Sequence, residues 1–264
     1  MLPAVSFAEA IRKIDFYTHG GARMKISAKT DRGMLRQSNQ DAYAIGELTQ
    51  GAWAVVCDGM GGHLGGNVAS AMARDVITDR IKDNVRMNMS AMSVRNMLES
   101  AIVAANADIY DRSHKEASLA GMGTTCVAAV CINSVAVIAN AGDSRCYLLR
   151  GDTITQLTKD HSYVQALVDA GTITPEEANE HHMKNMITRA LGLDDDIDVD
   201  FFDVEITEGD RLLLCSDGLT NHVSDEKMLK LINNTEAFDY ADKLVKEANK
   251  NGGTDNITVV VIEN

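Results

Sequence analysis

The sequence predicts an α+β protein in which antiparallel strands pack against helices. Apolar runs of strand length recur along the 264-residue chain, and two longer segments carry apolar residues at helical spacing. In residues 124–157 the strand-like runs follow one another across short polar turns, which is typical of antiparallel sheet. With 45% hydrophobic and 24% charged residues, we expect one soluble globular domain.

Residues 1–23 are interpreted as an N-terminal extension of unknown role, which precedes a main domain at 24–264. Four apolar residues of the extension recur at helical spacing and predict a short amphipathic piece: Phe7, Ala10, Ile11 and Ile14.

The first half of the main domain shows both periodicities. Strand-like runs at 25–30 and 52–57 are followed by helical patterns at about 66–82 and 94–117. The second helical pattern forms one apolar stripe that predicts a core face, made of Val94, Met97, Leu98, Ala101, Ile102, Ala105 and Ile109.

The second half continues the mixed pattern. Residues 158–192 are more polar and predict a surface excursion, with a short helix beginning at the capping-box sequence Thr174-Pro175-Glu176-Glu177. The remaining elements are predicted as strands at 199–206, 211–215 and 256–262 and two helices within 224–250.

Charge and cysteine usage limit the possible partners and location. The formal net charge is −13, from 38 acidic and 25 basic residues, which argues against a nucleic acid or an anionic membrane as partner. The cysteines lie mostly in apolar strand-like runs without paired spacing and are expected to be reduced core residues: Cys57, Cys126, Cys131, Cys146 and Cys215. Since no signal segment or membrane-spanning run is visible, we expect a cytoplasmic protein without membrane insertion.

Carboxylates recur at strand ends. Asp58 and Asp217 each end an apolar run and are followed by glycine, Asp143 follows Gly142, and Asp255 immediately precedes the last strand. Any one of these could be a simple turn. If they converge, two carboxylates about 4 Å apart repel by about 4 kcal/mol at an effective dielectric near 20, so the cluster needs raised pKa values or bound cations. All-oxygen ligands favour magnesium, manganese or calcium.

An ordered set of motifs accompanies these aspartates. They are Thr30-Asp31-Arg32-Gly33, Arg36, Asn39-Gln40-Asp41, Cys57-Asp58-Gly59-Met60-Gly61-Gly62-His63, Gly121-Met122-Gly123-Thr124-Thr125, Ala141-Gly142-Asp143-Ser144-Arg145, Ile187-Thr188-Arg189-Ala190-Leu191-Gly192, Ser216-Asp217-Gly218 and Gly253-Thr254-Asp255-Asn256-Ile257. From Lys25 to the C-terminus, the chain resembles the bacterial branch of the metal-dependent protein phosphatases of type 2C.

The resemblance implies a four-layer α-β-β-α sandwich, with a flap subdomain at about 158–190. It implies two to three divalent cations, manganese or magnesium. Asp58 would bridge two of them, the Gly59 carbonyl would be a ligand, and Asp217 and Asp255 would complete the binuclear site. Asp143, together with Asp217, would hold a third cation.

The resemblance also gives roles to residues that surround the cations. Asp41 would orient cation-bound water or act as a base, and Arg36 would bind phosphate, for which a planar guanidinium is suited. His63 is a candidate acid, although animal members carry their histidine directly after Asp-Gly, where this chain has Met60. Gln40 replaces a glutamate found in many members. In the flap, His161 and Ser162 could touch substrate, but solvation is the preferred interpretation for the histidines there: His161, His181 and His182.

The function implied is hydrolysis of phosphoserine and phosphothreonine in proteins, by direct attack of a water or hydroxide that bridges two metals. Such an enzyme would oppose a cognate bacterial serine/threonine kinase and act on its targets, and we expect a monomer. The alternative is a catalytically inactive, metal-binding domain that recognises phosphoproteins. A cysteine-dependent phosphatase is excluded because no cysteine has the C-x5-R spacing, and the acidic charge argues against a nuclease.

Overall fold

Two antiparallel sheets stacked face to face form the centre of the protein, and helices cover the outer face of each. The structure is a computed structural model that describes residues 12–17, 23–48, 51–86, 88–132 and 134–264. This is the predicted α+β class and the four-layer sandwich that the family resemblance implied.

The described residues form strands β1 Arg12–Tyr17, β2 Arg23–Asp31, β3 Asp41–Leu48, β4 Gly51–Met60, β5 Gly123–Thr124, β6 Cys126–Ile132, β7 Val135–Ala141, β8 Arg145–Arg150, β9 Thr153–Gln156, β10 Asp200–Glu205, β11 Arg211–Cys215 and β12 Ile257–Glu263. The α-helices are α1 Gly62–Asn84, α2 Ala91–Lys115, α3 Tyr163–Asp169, α4 Pro175–Glu180, α5 Asp217–Thr220, α6 Asp225–Asn233 and α7 Tyr240–Lys250. Short 3-10 turns lie at Ala117–Leu119 and Ala237–Asp239.

The strand orders show how distant motifs meet. The first sheet runs β1-β2-β12-β11-β8-β9, and the second runs β10-β7-β6-β4-β3, with the short β5 beside β4. The C-terminal strand β12 therefore lies between β2 and β11. This arrangement brings both ends of the domain to the same sheet and places the ends of β2, β11 and β12 next to one another.

Alternating burial in the central strands follows from the layers, since successive side chains of a strand point to opposite faces. In β4, Trp53 and Val55 contact the helix layer, whereas Ala54 and Val56 pack between the sheets. Because both faces are covered, the strand reads as one continuous apolar run. The same holds for β11 and β12, whose outer faces pack on α6 and α7.

Each outer layer has its own core. The helices α1 and α2 pack on the second sheet, and the predicted stripe of α2 is buried there, including Val94, Leu98, Ile102 and Ile109. All five cysteines are buried and free, which confirms their predicted location in the core. Among the described helices, none combines the length and apolarity that crossing a bilayer requires.

Several local predictions differ from the structure. The backbone of 12–17 is a strand paired with β2, so the helical spacing that included Ile14 was misleading; the other residues of that pattern lie outside the described part. Pairing with β2 supplies the backbone hydrogen bonds of this segment, and the spacing of apolar residues along the chain does not reveal such pairing. The strand β3 and the short helices α3 and α5 were not predicted, whereas α4 begins with the predicted capping box at Thr174.

Candidate active site

The apolar faces between the two sheets become polar at one edge of the molecule. In β4 the inward positions run Ala54, Val56 and then Asp58, and in β11 they run from Leu214 to Ser216 just beyond the strand. Asp41 lies opposite Asp58 in the register of β3 and β4. The alternation that builds the core therefore also points a set of polar side chains into one space.

Asp41 lies at the centre of this polar edge. Its Oδ2 accepts hydrogen bonds from Ser216 Oγ at 2.8 Å and Thr258 Oγ1 at 2.6 Å. Its Oδ1 is buried, and the described residues offer it no hydrogen-bond partner. Removal of water raises the pKa of Asp41 from 3.8 to about 7, against the opposing effect of the two hydroxyl donors, and the charges of Asp217 and Asp255 raise it further.

Asp58 is held by its backbone. Its N–H donates to Thr125 Oγ1 at 2.9 Å, and its carbonyl accepts from Thr125 N at 2.8 Å and Thr124 Oγ1 at 2.9 Å. Removal of water and the charge of Asp41 raise the pKa of its carboxyl well above the ordinary value. The Thr124-Thr125 motif thus holds the Asp58 backbone and fixes the direction of its side chain, although the charge of Asp41 repels the Asp58 carboxylate.

Asp143 and Asp217 each present a buried Oδ1 for which the described residues supply no hydrogen-bond partner. The other oxygen of Asp217, Oδ2, accepts from Asn221 Nδ2 at 3.0 Å. Removal of water raises the pKa of Asp143 to about 8, helped by the charge of Asp217, and raises that of Asp217 to about 6, helped by the charge of Asp255. The crowded carboxylates therefore resist ionisation unless positive charge joins them.

These residues fit hard divalent cations. The carboxylate oxygens of Asp41, Asp143 and Asp217 that have no hydrogen-bond partner among the described residues are of the kind that such ions use as ligands. In the described part of the chain, no three acidic, histidine or cysteine side chains already surround a single point. Magnesium-like ions keep several waters and need only one or two carboxylates each, so a hydrated site agrees with both observations.

A cavity of about 600 Å³ opens over these carboxylates. Its lining includes Asp58, Asp143, Asp217 and Asp255, together with Arg36. Arg36 reaches Asp255 Oδ2 at 2.7 Å, and about half of its side chain remains exposed. The structure therefore brings together five predicted site residues that are distant in sequence, and the guanidinium of Arg36 has more N–H donors than its contact with Asp255 uses.

Asn256 ties the loop that carries Arg36 to the end of the chain, a role that the sequence did not indicate. Its Oδ1 accepts from Gln40 N at 2.8 Å, and its Nδ2 donates to Arg32 O and Ser38 O, both at 2.9 Å. We call residues 32–40 the arginine loop. Because the side-chain amide of Asn256 bonds three backbone groups of the arginine loop, Asn256 fixes the position of Arg36 in that loop.

We expect Asn256→Ala to lower the free energy of unfolding by about 1–2 kcal/mol, because three partly buried backbone groups lose their partners. The KM for a phosphorylated peptide should rise as Arg36 loses its support. Urea unfolding and initial rates with metal present would test this. Asn251→Ala is the control, since Asn251 Nδ2 makes a single exposed hydrogen bond to His222 O; equal losses in both variants would contradict the role of Asn256.

Two glycines next to the acidic strand ends allow close backbone contacts. A Cβ on Gly59 would lie 2.2 Å from Gly66 O, and one on Gly218 would lie 1.9 Å from Asn256 O. Both distances are far inside van der Waals contact, so these positions require glycine.

His161 is not solvated, contrary to the preferred prediction. Its side chain is about 9% exposed. Its Nδ1 accepts from Gly142 N at 2.9 Å, and its Nε2 lies 3.1 Å from Asp200 Oδ2 and 2.9 Å from a nitrogen of Arg189. Burial lowers its pKa below the ordinary value. Flap residues therefore pack against the loop that carries Asp143, which polarity alone did not reveal.

Two further candidates lie beside the cavity. His63 falls in the first turn of α1, so its backbone is near the cavity, but its side chain lies outside the described part of the structure. Gln40 donates from Nε2 to Gly62 O at 2.8 Å, and its own carbonyl accepts from Gly59 N and Ser70 Oγ. The amide at position 40 thus holds the glycine turn before α1.

Fold and site together define a class: a hydrolase with clustered carboxylates suited to divalent cations and an arginine suited to phosphate. Comparison with known proteins gives the family. The model of the protein phosphatase 2C family matches residues 35–258. The chain therefore belongs to the protein phosphatase 2C family, as the motifs predicted, and it is a protein serine/threonine phosphatase.

Relatives and solved structures agree. The chain is 41% identical over 242 residues to a serine/threonine phosphatase, stp, of Listeria innocua, covering 91% of this chain and 96% of the relative. It is similar to the structure of Stp1 from Staphylococcus aureus, with a TM-score of 0.86, 35% identity and coverage of 96% and 99%. The catalytic domain of PstP, in complex with two manganese ions, matches with a TM-score of 0.79, 38% identity and coverage of 91% and 97%.

Proposed function

We propose that this phosphatase hydrolyses phosphoserine and phosphothreonine with two to three divalent cations, manganese or magnesium, held at the edge between the sheets. The observation that carries the proposal is the group of buried carboxylates beside the half-exposed Arg36, in which one oxygen each of Asp41, Asp143 and Asp217 has no hydrogen-bond partner in the part of the chain that the structure describes. A catalytically inactive, metal-binding recognition domain would share these carboxylates, so turnover is the property that distinguishes the two functions. The relatives bear the names of phosphatases.

In this proposal Asp58, the Gly59 carbonyl, Asp217 and Asp255 would hold the two cations of the binuclear site, and Asp143 with Asp217 would hold the third. When bound, the cations lower the pKa of an attacking water and neutralise charge on the phosphoryl oxygens. The hydroxyls of Ser216 and Thr258 fix one oxygen of Asp41, so that the other is free to orient the water or take its proton.

Arg36 binds the phosphoryl oxygens through guanidinium nitrogens that Asp255 leaves free. Position 63 supplies the candidate acid for the leaving alkoxide, supported by its place in the turn beside the cavity. Removal of water around the carboxylates strengthens every charge interaction in the cavity. No covalent intermediate on the protein is needed, since the aspartates serve to position cations and water.

The substrates proposed are phosphorylated proteins that a cognate bacterial serine/threonine kinase modifies, with the phosphatase acting as a cytoplasmic monomer in signalling. Five buried free thiols support a reducing compartment. The proposed domain is 24–264, with a flap at about 158–190 that contains α3 and α4. Residues 1–23 remain an extension of unknown role, in which β1 lengthens the first sheet.

Initial rates on a phosphothreonine peptide, with manganese, with magnesium and with excess chelator, test the proposal. We expect turnover with either metal and none with chelator, because the carboxylates alone supply no positive charge to the phosphoryl group. Thermal unfolding of the same samples gives an independent readout, since cations that bind the folded protein raise its stability. A folded protein that binds manganese without hydrolysing the peptide would instead favour a recognition domain.

We expect Arg36→Ala to raise KM by about tenfold or more and to lower kcat less, because a charge-assisted contact to phosphate contributes about 1.5–3 kcal/mol. Arg32→Ala is a matched control on the same loop, since its guanidinium makes only a 3.5 Å contact to Gln37 O. Steady-state kinetics on one phosphopeptide would compare them. An unchanged KM in Arg36→Ala would remove Arg36 from phosphate binding.

A further inference from the structure

We propose that the mouth of the catalytic cavity is an apolar docking surface for the residues that flank the phosphorylated side chain of a partner protein. This inference rests on the proposed phosphatase function and names the class of segment that the enzyme prefers. We define the apolar rim as Leu35, Leu64 and Met186, together with Met60 and Ile187 of the cavity wall. The occupant is an extended phosphorylated segment with large apolar side chains close to the phosphoresidue.

Large apolar side chains of the rim are unusually exposed. Leu35 is 70% exposed, Leu64 64% and Met186 48%. Leu35 lines the cavity itself, Leu64 follows the lining residue Gly62 by two positions, and Met186 lies between two lining residues. Single exposed apolar residues are ordinary, but here three separate segments that line or directly adjoin the cavity each carry one, which is typical of an interaction surface.

The charged side chains of the cavity already have roles in the proposed reaction. Its charged lining residues are Arg36 and the four aspartates, which the proposed chemistry uses for phosphate and cations. The rest of the lining is uncharged, and its large side chains include Leu35, Met60 and Ile187. Among the described residues, the lining of this cavity offers no further charge to select acidic or basic residues beside the phosphate, and its uncharged large side chains favour apolar contact with the flanking residues.

The rim is held in place before a substrate arrives. The arginine loop, which carries Leu35, is tied by Asn256, and Met34 N donates to Gly253 O at 2.7 Å. The Met186 backbone donates to Met183 O at 3.0 Å and accepts from Tyr163 N at 2.8 Å. Because the backbone of these segments is already ordered, burial of their side chains costs rotamer freedom but little backbone entropy, and the removal of apolar surface from water stabilises the bound segment.

The first test uses the wild-type protein with manganese and two phosphothreonine peptides of equal length and charge. One has leucine on both sides of the phosphothreonine, and the other has serine. We expect kcat/KM to be about tenfold higher for the leucine peptide, the scale on which small differences in apolar contact discriminate substrates. Equal values, or a preference for serine, would overturn the docking surface.

The second test locates the preference. Leu35→Ser and Met186→Ser should each reduce the ratio of kcat/KM between the two peptides by about threefold or more, since each removes part of the apolar contact. Met92→Ser is the control, because Met92 is 62% exposed on α2, which contributes no residue to the cavity lining. An unchanged ratio in both rim variants would overturn the assignment to these residues.

Hydrolysis of para-nitrophenyl phosphate distinguishes failure of the docking surface from failure of the proposed function. Wild-type protein that hydrolyses this ester and both peptides without distinguishing them retains the proposed function but not the docking surface. Wild-type protein that hydrolyses none of the three with manganese would overturn the proposed function, and this inference with it.

Discussion

Asp58→Asn is expected to lower kcat by at least about 10³-fold while the protein still folds. Asp58 lies opposite Asp41 in the strand register, and Thr125 holds the Asp58 backbone by a hydrogen bond. The Asp58 carboxylate is therefore placed beside that of Asp41 at the polar edge between the sheets. An amide keeps the shape but loses the charge that holds two cations. Two-metal catalysis supplies several kcal/mol of charge stabilisation, and about 4 kcal/mol corresponds to a thousandfold in rate.

The Asp58→Asn variant should be more stable than the wild type when no metal is bound. Since the pKa of the Asp58 carboxyl is raised well above its ordinary value, the ionised form destabilises the metal-free fold, and asparagine removes that cost. In chelator at pH 8 we expect a higher melting temperature for Asp58→Asn than for the wild type, with the order reversed in saturating manganese.

Asp75→Asn is the matched control, because Asp75 lies exposed on α1 and pairs only with the neighbouring Arg74 in the described structure. Its kcat and melting temperature should follow the wild type in both conditions. Wild-type turnover in Asp58→Asn, or a loss of folding in chelator, would remove Asp58 from the metal site.

Much of the site could be predicted because the residue patterns that mark it are local in the sequence. Each of Asp58, Asp143, Asp217 and Asp255 adjoins an apolar strand, and strands between two covered faces have a pattern that is visible in one dimension. Asp41 begins β3, an edge strand with mixed burial, so the pattern did not mark that strand and only the resemblance indicated the residue.

Other functional contacts could not be predicted because their partners are distant in sequence. Asn256 meets Gln40, 216 positions away, and the pairing depends on the order of β2 and β12 in the first sheet. His161 looked like a polar flap residue, yet Asp200 and Arg189 bury it against the Gly142 turn. A side chain's surroundings follow from topology, which composition and periodicity only constrain.

The metal-free protein should lose stability as the pH rises from about 4 to about 8. The pKa values of Asp41, Asp143 and Asp217 in the folded state are about 7, 8 and 6, all above the ordinary 3.8. At these three carboxylates the folded protein binds more protons than the unfolded chain between those limits, so their contribution to the free energy of unfolding falls as the pH rises. The stabilisation is complete below pH 4 for these groups and is lost as each titrates.

Asp41 alone gives the scale, since its pKa differs by about three units and each unit corresponds to about 1.4 kcal/mol, a loss of about 4 kcal/mol. Urea unfolding in chelator at several pH values would measure the slope. Saturating manganese should flatten or reverse it, because bound cations favour ionised carboxylates and lower their pKa values. Stability that is independent of pH in chelator would mean that these carboxylates are not crowded in the metal-free protein. The link between cation binding and folding would then have to be abandoned, because that link depends on carboxylates that ionise with difficulty when no cation is present.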